Sequence, residues 1–113
     1  MFTIYHNPRC SKSRQTLALL EENGVKATVV EYLKQPLSKE DITELLVKLD
    51  KTAIEIMRTK ESEFAEQALK GADDNTLINA MVNTPKLMER PIVVKDEQAV
   101  IGRPPENVLA LIG

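Results

Sequence analysis

The sequence of 113 residues predicts an α/β fold, a four-stranded mixed sheet with a helical insertion between its second and third strands. Three observations carry this expectation. A strand, a helix and a second strand follow one another in the opening third of the chain. Capped helical patterns then fill about 38–88 with no strand signal between them. Two short β-branched runs flanking a polar turn, and a last helix, close the sequence.

Each element has a local reason. Phe2–Tyr5 is a short apolar run that His6-Asn7-Pro8 breaks, which suits a buried strand. Ser11 to Asn23 reads as a helix carrying Leu17, Leu19 and Leu20, and Gly24 supplies its left-handed stop. Val25–Leu33, with Thr28-Val29-Val30 at its centre, reads as the second strand. A strand, helix and strand in this compact order imply a right-handed crossover and parallel pairing. Pro36 and Ser38 open the insertion. Ser38-x-x-Asp41 resembles a capping box ahead of Ile42, Leu45, Leu46 and Leu49 at helical spacing. Thr52-x-x-Glu55 predicts a second, short helix that ends at Arg58. Glu63–Lys70 predicts a third, stopped by Gly71, and Asn75 is the expected cap of a fourth that turns Leu77, Ile78, Met81 and Val82 inward. Ile92–Val94 and Ala99–Ile101 are strands joined through Lys95–Gln98, and Pro104-Pro105 starts a closing helix with Val108, Leu109, Leu111 and Ile112. Without the insertion, the remaining order is a thioredoxin-like skeleton. The whole of 1–113 is therefore expected to be one domain.

Composition narrows the class. A chain with 42% hydrophobic and 28% charged residues has the makeup of an ordinary globular domain. Its net charge of −2 lends no support to a nucleic-acid partner. No apolar run approaches membrane-spanning length, and a strand from residue 2 leaves no room for a signal peptide, so a cytoplasmic monomer is expected. One cysteine excludes an intramolecular disulfide and an all-cysteine metal site. The charge is uneven: Arg9, Lys12 and Arg14 precede the first carboxylate, Glu21, so the chain opens basic and the remainder is acidic.

The chemistry concentrates in His6–Arg14, HNPRCSKSR, which holds the single cysteine and the single histidine. Cys10 is predicted in a loop feeding a helix. Free N–H groups and the positive end of the helix dipole there favour a thiolate or a bound oxyanion. A lone cysteine is commonly a small buried hydrophobe. One surrounded by Asn7, Pro8, Ser13 and three cations has instead the electropositive setting of a reactive thiol, so its pKa is expected to be lowered. Cys10-x-x-Ser13 is a thioredoxin-type spacing with serine in place of the second cysteine. Ser13 is either a donor to the thiolate or a plain first-turn serine. His6 either pairs with the thiolate or steers a proton, or is a strand-end residue bonded to backbone. The spacing to Arg14 is wrong for a tyrosine-phosphatase loop, whose arginine position is held here by Thr16. Arg58 ends a predicted helix, Arg90 precedes Pro91 at the mouth of the third strand, and Arg103 follows the fourth. Their planar forks suit a tetrahedral oxyanion. Arg90–Pro91 is expected to be cis, the place where thioredoxin-like folds keep such a bond beside the active cysteine.

HNPRCSKSR, ERPIVV (Glu89–Val94) and GRPPENV (Gly102–Val108), in that order, resemble the glutaredoxin- and glutathione-linked arsenate reductase family over essentially the whole chain. The resemblance implies that Cys10 is the nucleophile, with His6 beside it. It implies that Arg58, Arg90 and Arg103, with Asn7, Ser13 and Arg14, bind the oxyanion. It further implies a thiolate–arsenic(V) adduct formed from arsenate with loss of water, reduction by glutathione as co-substrate, resolution of the mixed disulfide by glutaredoxin, and release of arsenite. No bound metal or organic cofactor is implied. Two other readings share the motifs: a general glutathione-linked thiol oxidoreductase without arsenate activity, and a Spx-type regulator binding RNA polymerase. The Spx-type redox switch is a Cys-x-x-Cys pair, which Ser13 rules out here.

Overall fold

A computed structural model describes residues 1–112. The contacts divide the chain into two compact units, Met1–Gln35 with the residues from Arg90 on, and Pro36–Glu89.

The first unit is a four-stranded mixed sheet in the order β2-β1-β3-β4, the thioredoxin-like arrangement. β1 (Phe2–Tyr5) pairs in parallel with β2 (Ala27–Val30), in register from Phe2↔Ala27 to Tyr5↔Val30. It pairs antiparallel with β3 (Ile92–Lys95), which turns back into β4 (Gln98–Ile101). The pleat sends Ile4 and its partner Val93 to one face. There both are fully buried against Leu20 of α1 (Ser11–Glu22), Val108, and Leu111 of the closing α5 (Leu109–Ile112). A 3-10 turn at Pro105–Val108 precedes α5.

β2 is shorter than the sequence suggests, and the cap of α1 explains its start. Gly24 N–H bonds Glu21 O and Val25 N–H bonds Leu20 O, with Gly24 at φ +74. This is a Schellman closure in which Val25 packs back beside Leu20, so Val25 belongs to the helix stop. At the other end, Lys34 and Gln35 N–H both turn back to Glu31 O, so the strand stops at Val30.

The second unit is helical. α2 (Lys39–Leu49) has the expected capping box: Asp41 N–H bonds Ser38 Oγ and Ser38 N–H bonds an Asp41 carboxylate oxygen, both at 3.1 Å. The Thr52–Glu55 box starts a 3-10 turn, Ala53–Ile56. Arg58 is not on that turn. Met57 leaves it as extended chain and pairs with Met88, and Arg58 N–H donates to Leu87 O. α3 spans only Ser62–Glu66. Ala68, at φ 52, takes the left-handed position that ends α3, with Leu69 N–H bonded to Phe64 O, and Gly71, at φ 79, makes a second left-handed turn beyond it. Burying Leu69 beside Phe64 stops the helix earlier than the glycine does. α4 (Asp74–Asn83) is capped by Asp73, whose carboxylate accepts Thr76 N–H at 2.8 Å, and not by Asn75. Among the described residues no helix is long and apolar enough to cross a membrane.

Candidate active site

The chain leaves β1 at Tyr5 and reaches α1 through a loop that its own backbone ties down. His6 N–H donates to Val30 O at 2.8 Å, extending the ladder by one rung. Asn7 then makes three bonds: its Oδ1 accepts Arg9 N–H, its carbonyl accepts Cys10 N–H, and its N–H donates to Ser13 Oγ, each at 3.0 Å. Arg14 is exposed and donates to Pro8 O at 2.9 Å. Asn7 and Arg14 therefore shape the loop that presents the thiol.

Cys10 is the N-cap residue of α1, half-buried, with extended backbone angles. That places its sulfur where a capping oxygen usually receives the second and third N–H groups of a helix. The Cys10 side chain makes no capping hydrogen bond of the ordinary kind. Burial pushes the Cys10 pKa up, but the Ser13 N–H, the Arg90 side chain with its charge, and the Lys12 N–H together outweigh burial, and the net shift is downward. Arg90 also carries a buried Nε that has no hydrogen-bond partner among the described residues. A buried donor left in that state favours the arrival of an acceptor.

Ser13 is fully buried. Its hydroxyl is committed away from the sulfur: it accepts Asn7 N–H and shares a proton with His6 Nδ1 at 2.6 Å. What Ser13, in the first turn of α1, offers Cys10 is its backbone N–H, while its hydroxyl bonds His6 and Asn7. His6 is buried, and burial holds its pKa below the ordinary histidine value; Glu31 opposes this and Arg14 adds to it. The imidazole is therefore neutral at neutral pH, an internal strut between the end of β1 and the first turn of α1.

Arg90 and Arg103 stand at the paired ends of β3 and β4, where Ile92 faces Ile101. Arg103 is exposed and donates to Arg90 O at 3.3 Å. The Arg90–Pro91 bond is cis as expected, and so is Arg103–Pro104. The first unit thus brings together Cys10, His6, Asn7, Ser13, Arg14, Arg90 and Arg103. Arg58 belongs to the second unit. There it is bonded to Glu61, with Nε and a terminal nitrogen both at 3.1 Å from Oε1, and lies 3.7 Å from Glu89. Thr16, noted in the sequence only for standing where a phosphatase arginine would, has a packing role that the sequence did not show. It is fully buried on the same helical stripe as Ser13 and Leu20, and a polar residue on that stripe was the available signal.

Residues 5–111 match the model of the ArsC family. The chain is 53% identical over 113 residues to the "Uncharacterized protein YfgD" of Escherichia coli K12, covering 97% of this chain and 95% of that protein. It is 42% identical to the arsenate reductase of Neisseria meningitidis serogroup A, with 96% of each covered. The solved structure of an arsenate reductase from Vibrio cholerae superimposes with a TM-score of 0.94 at 46% identity, covering 96% of this chain and 95% of that one. The chain belongs to the ArsC family.

Proposed function

We propose that this protein is an arsenate reductase that works through one nucleophilic cysteine, with glutathione as co-substrate and glutaredoxin as recycling partner. The observation that carries the reading is the setting of Cys10, whose thiol is shifted toward the thiolate by two helix N–H groups and by Arg90. The names of the relatives at 42% and 46% identity supply the substrate.

In this reading the Cys10 thiolate attacks arsenic(V), an As–S bond forms, and an arsenate oxygen leaves as water after protonation. The donors that hold the thiolate then face the oxyanion attached to it. Arg90 and the exposed Arg103 beside it then receive the oxygens, a role that the buried Nε of Arg90 and the Arg103–Arg90 contact support. Two electrons pass from sulfur to arsenic: two thiols become one disulfide as arsenic(V) becomes arsenic(III), and arsenite is released. Glutathione supplies the attacking thiol and glutaredoxin clears the mixed disulfide, which suits a reducing, cytoplasmic compartment.

The test is arsenate-dependent NADPH oxidation coupled through glutathione, glutaredoxin and glutathione reductase. Turnover that disappears in Cys10→Ser is the expected result. Glutathione-dependent reduction of a small disulfide, with no response to arsenate, would replace this reading by that of a general thiol oxidoreductase.

A further inference from the structure

The seam between α1 and the Arg90–Pro91 step has no slack. Gly102 follows β4, is buried, and donates its N–H to Pro91 O at 2.8 Å. A Cβ placed on Gly102 would lie 2.7 Å from Thr16 Oγ1 and 2.9 Å from both Thr16 Cγ2 and Pro91 Cγ. Carbon and oxygen atoms do not pack that closely, so a methyl group fits only if α1 or Pro91 moves. Gly102 is outside the left-handed region, so space and not φ reserves the position for glycine. The other side of the seam is equally committed. Thr16 Oγ1 reaches Lys12 O at 2.8 Å and Gly102 O at 3.3 Å, one hydroxyl proton shared between the first turn of the helix and the end of the strand.

We infer that the Thr16–Gly102 contact is a positioning element of the site, setting how far the N-terminus of α1, and with it Cys10, stands from Arg90. Cys10 caps the same helix that carries Thr16, and Arg90 is bonded to the proline whose Cγ crowds the same place at Gly102. The donors that favour the thiolate come from both sides of this seam, Ser13 and Lys12 from the helix and Arg90 from the strand. Widening the seam weakens Arg90's action on the sulfur, since charge interactions fall with distance. The inference deepens the proposed function and rests on Cys10 as the reacting thiol.

The test follows the alkylation rate of the single thiol against pH, with circular dichroism to show that each variant is folded. It needs neither arsenate nor glutathione, so its outcome is separate from whether arsenate is turned over. Gly102→Ala is expected to raise the Cys10 midpoint by roughly one pH unit, about tenfold less thiolate below the midpoint. Thr16→Ala alone raises it less, by releasing Gly102 O. In the Gly102→Ala background Thr16→Ala lowers it, because it removes both atoms of Thr16 that the new methyl strikes. This reversal of sign is the mark of direct coupling. A folded Gly102→Ala with the parent midpoint, or a Thr16→Ala shift in the same direction in both backgrounds, overturns the inference. Should Gly102→Ala fail to fold, Thr16→Ala and the double variant decide: an elevated midpoint shared by the two supports the coupling, and a parent midpoint in Thr16→Ala overturns it.

Discussion

In the proposed reaction Arg90 acts on two charges at the same place, the thiolate before reaction and the oxyanion during it. Arg90→Ala is therefore expected to raise the Cys10 alkylation midpoint and to cut arsenate turnover on the order of 10²-fold, the usual loss for one preorganised donor. Both readouts must move together; activity retained at the parent level would remove Arg90 from the site. Ser13 belongs to a different balance. Ser13→Ala leaves His6 Nδ1 and Asn7 N–H facing the gap left by a buried hydroxyl, and is expected to cost about 1–3 kcal/mol in denaturant unfolding. The pH dependence has a definite sign. His6 and Cys10 both have folded pKa values below their ordinary ones, so in each window the unfolded chain binds the additional proton. Stability then rises with pH over two windows, the first, from His6, ending at about 6.5 and the second, from Cys10, ending at about 8.5. Cys10→Ser is expected to flatten the second rise and leave the first, read as unfolding midpoint against pH. Cys10, Arg90 and Arg103 were legible in the sequence because cysteine and arginine declare their chemistry by residue type. The partner of Ser13 was not, because a serine hydroxyl accepts any neighbour the fold brings and the sequence does not say which.

At the scale of elements, the boundaries that sequence missed are those that a packed side chain decides. Gly24 was readable as the end of α1 because glycine and its position agree. Val25 looked like strand, yet packing against the Leu20 core makes it the second half of that cap. Gly71 looked like the stop of α3, yet Leu69 had to be buried and the chain turned at Ala68 instead. That turn has a testable consequence. An L-residue in the left-handed region is disfavoured by about 1–2 kcal/mol, while glycine there adds freedom to the unfolded chain. Ala68→Gly is expected to stabilise the protein by up to about 1 kcal/mol, measured by denaturant titration; a loss of stability would show that the Ala68 methyl makes contacts worth more than the strain. The capping box of α2 makes the opposite case, an element whose start the sequence shows without ambiguity. Ser38→Ala removes the acceptor for Asp41 N–H and is expected to cost about 1 kcal/mol in the same measurement.

For the whole molecule, the order of elements was readable because each has its own periodicity and its own stop. The Thr16–Gly102 seam was not, since it joins residues 86 positions apart and neither looks reactive alone. The recycling of the thiol is also a property of the whole chain, because it depends on what the chain lacks. In the proposed reaction Cys10 is bonded to arsenic or to another sulfur after one turnover, and exchange requires an attacking thiolate. Ser13 cannot supply one: its hydroxyl is a poor nucleophile at neutral pH and is already held by His6 and Asn7. No other cysteine exists in the sequence. In that reaction the second thiol enters from solution and meets a Cys10 whose neighbours include the Arg90 charge. A small anionic thiol suits that setting better than a bulky folded dithiol protein. Turnover is thus expected to need glutathione, with glutaredoxin accelerating it and thioredoxin alone supporting little. Repeated turnover of arsenate with thioredoxin and its reductase as the only thiol source, glutathione absent, would show that a protein dithiol reaches Cys10 directly and that the small-thiol route is wrong.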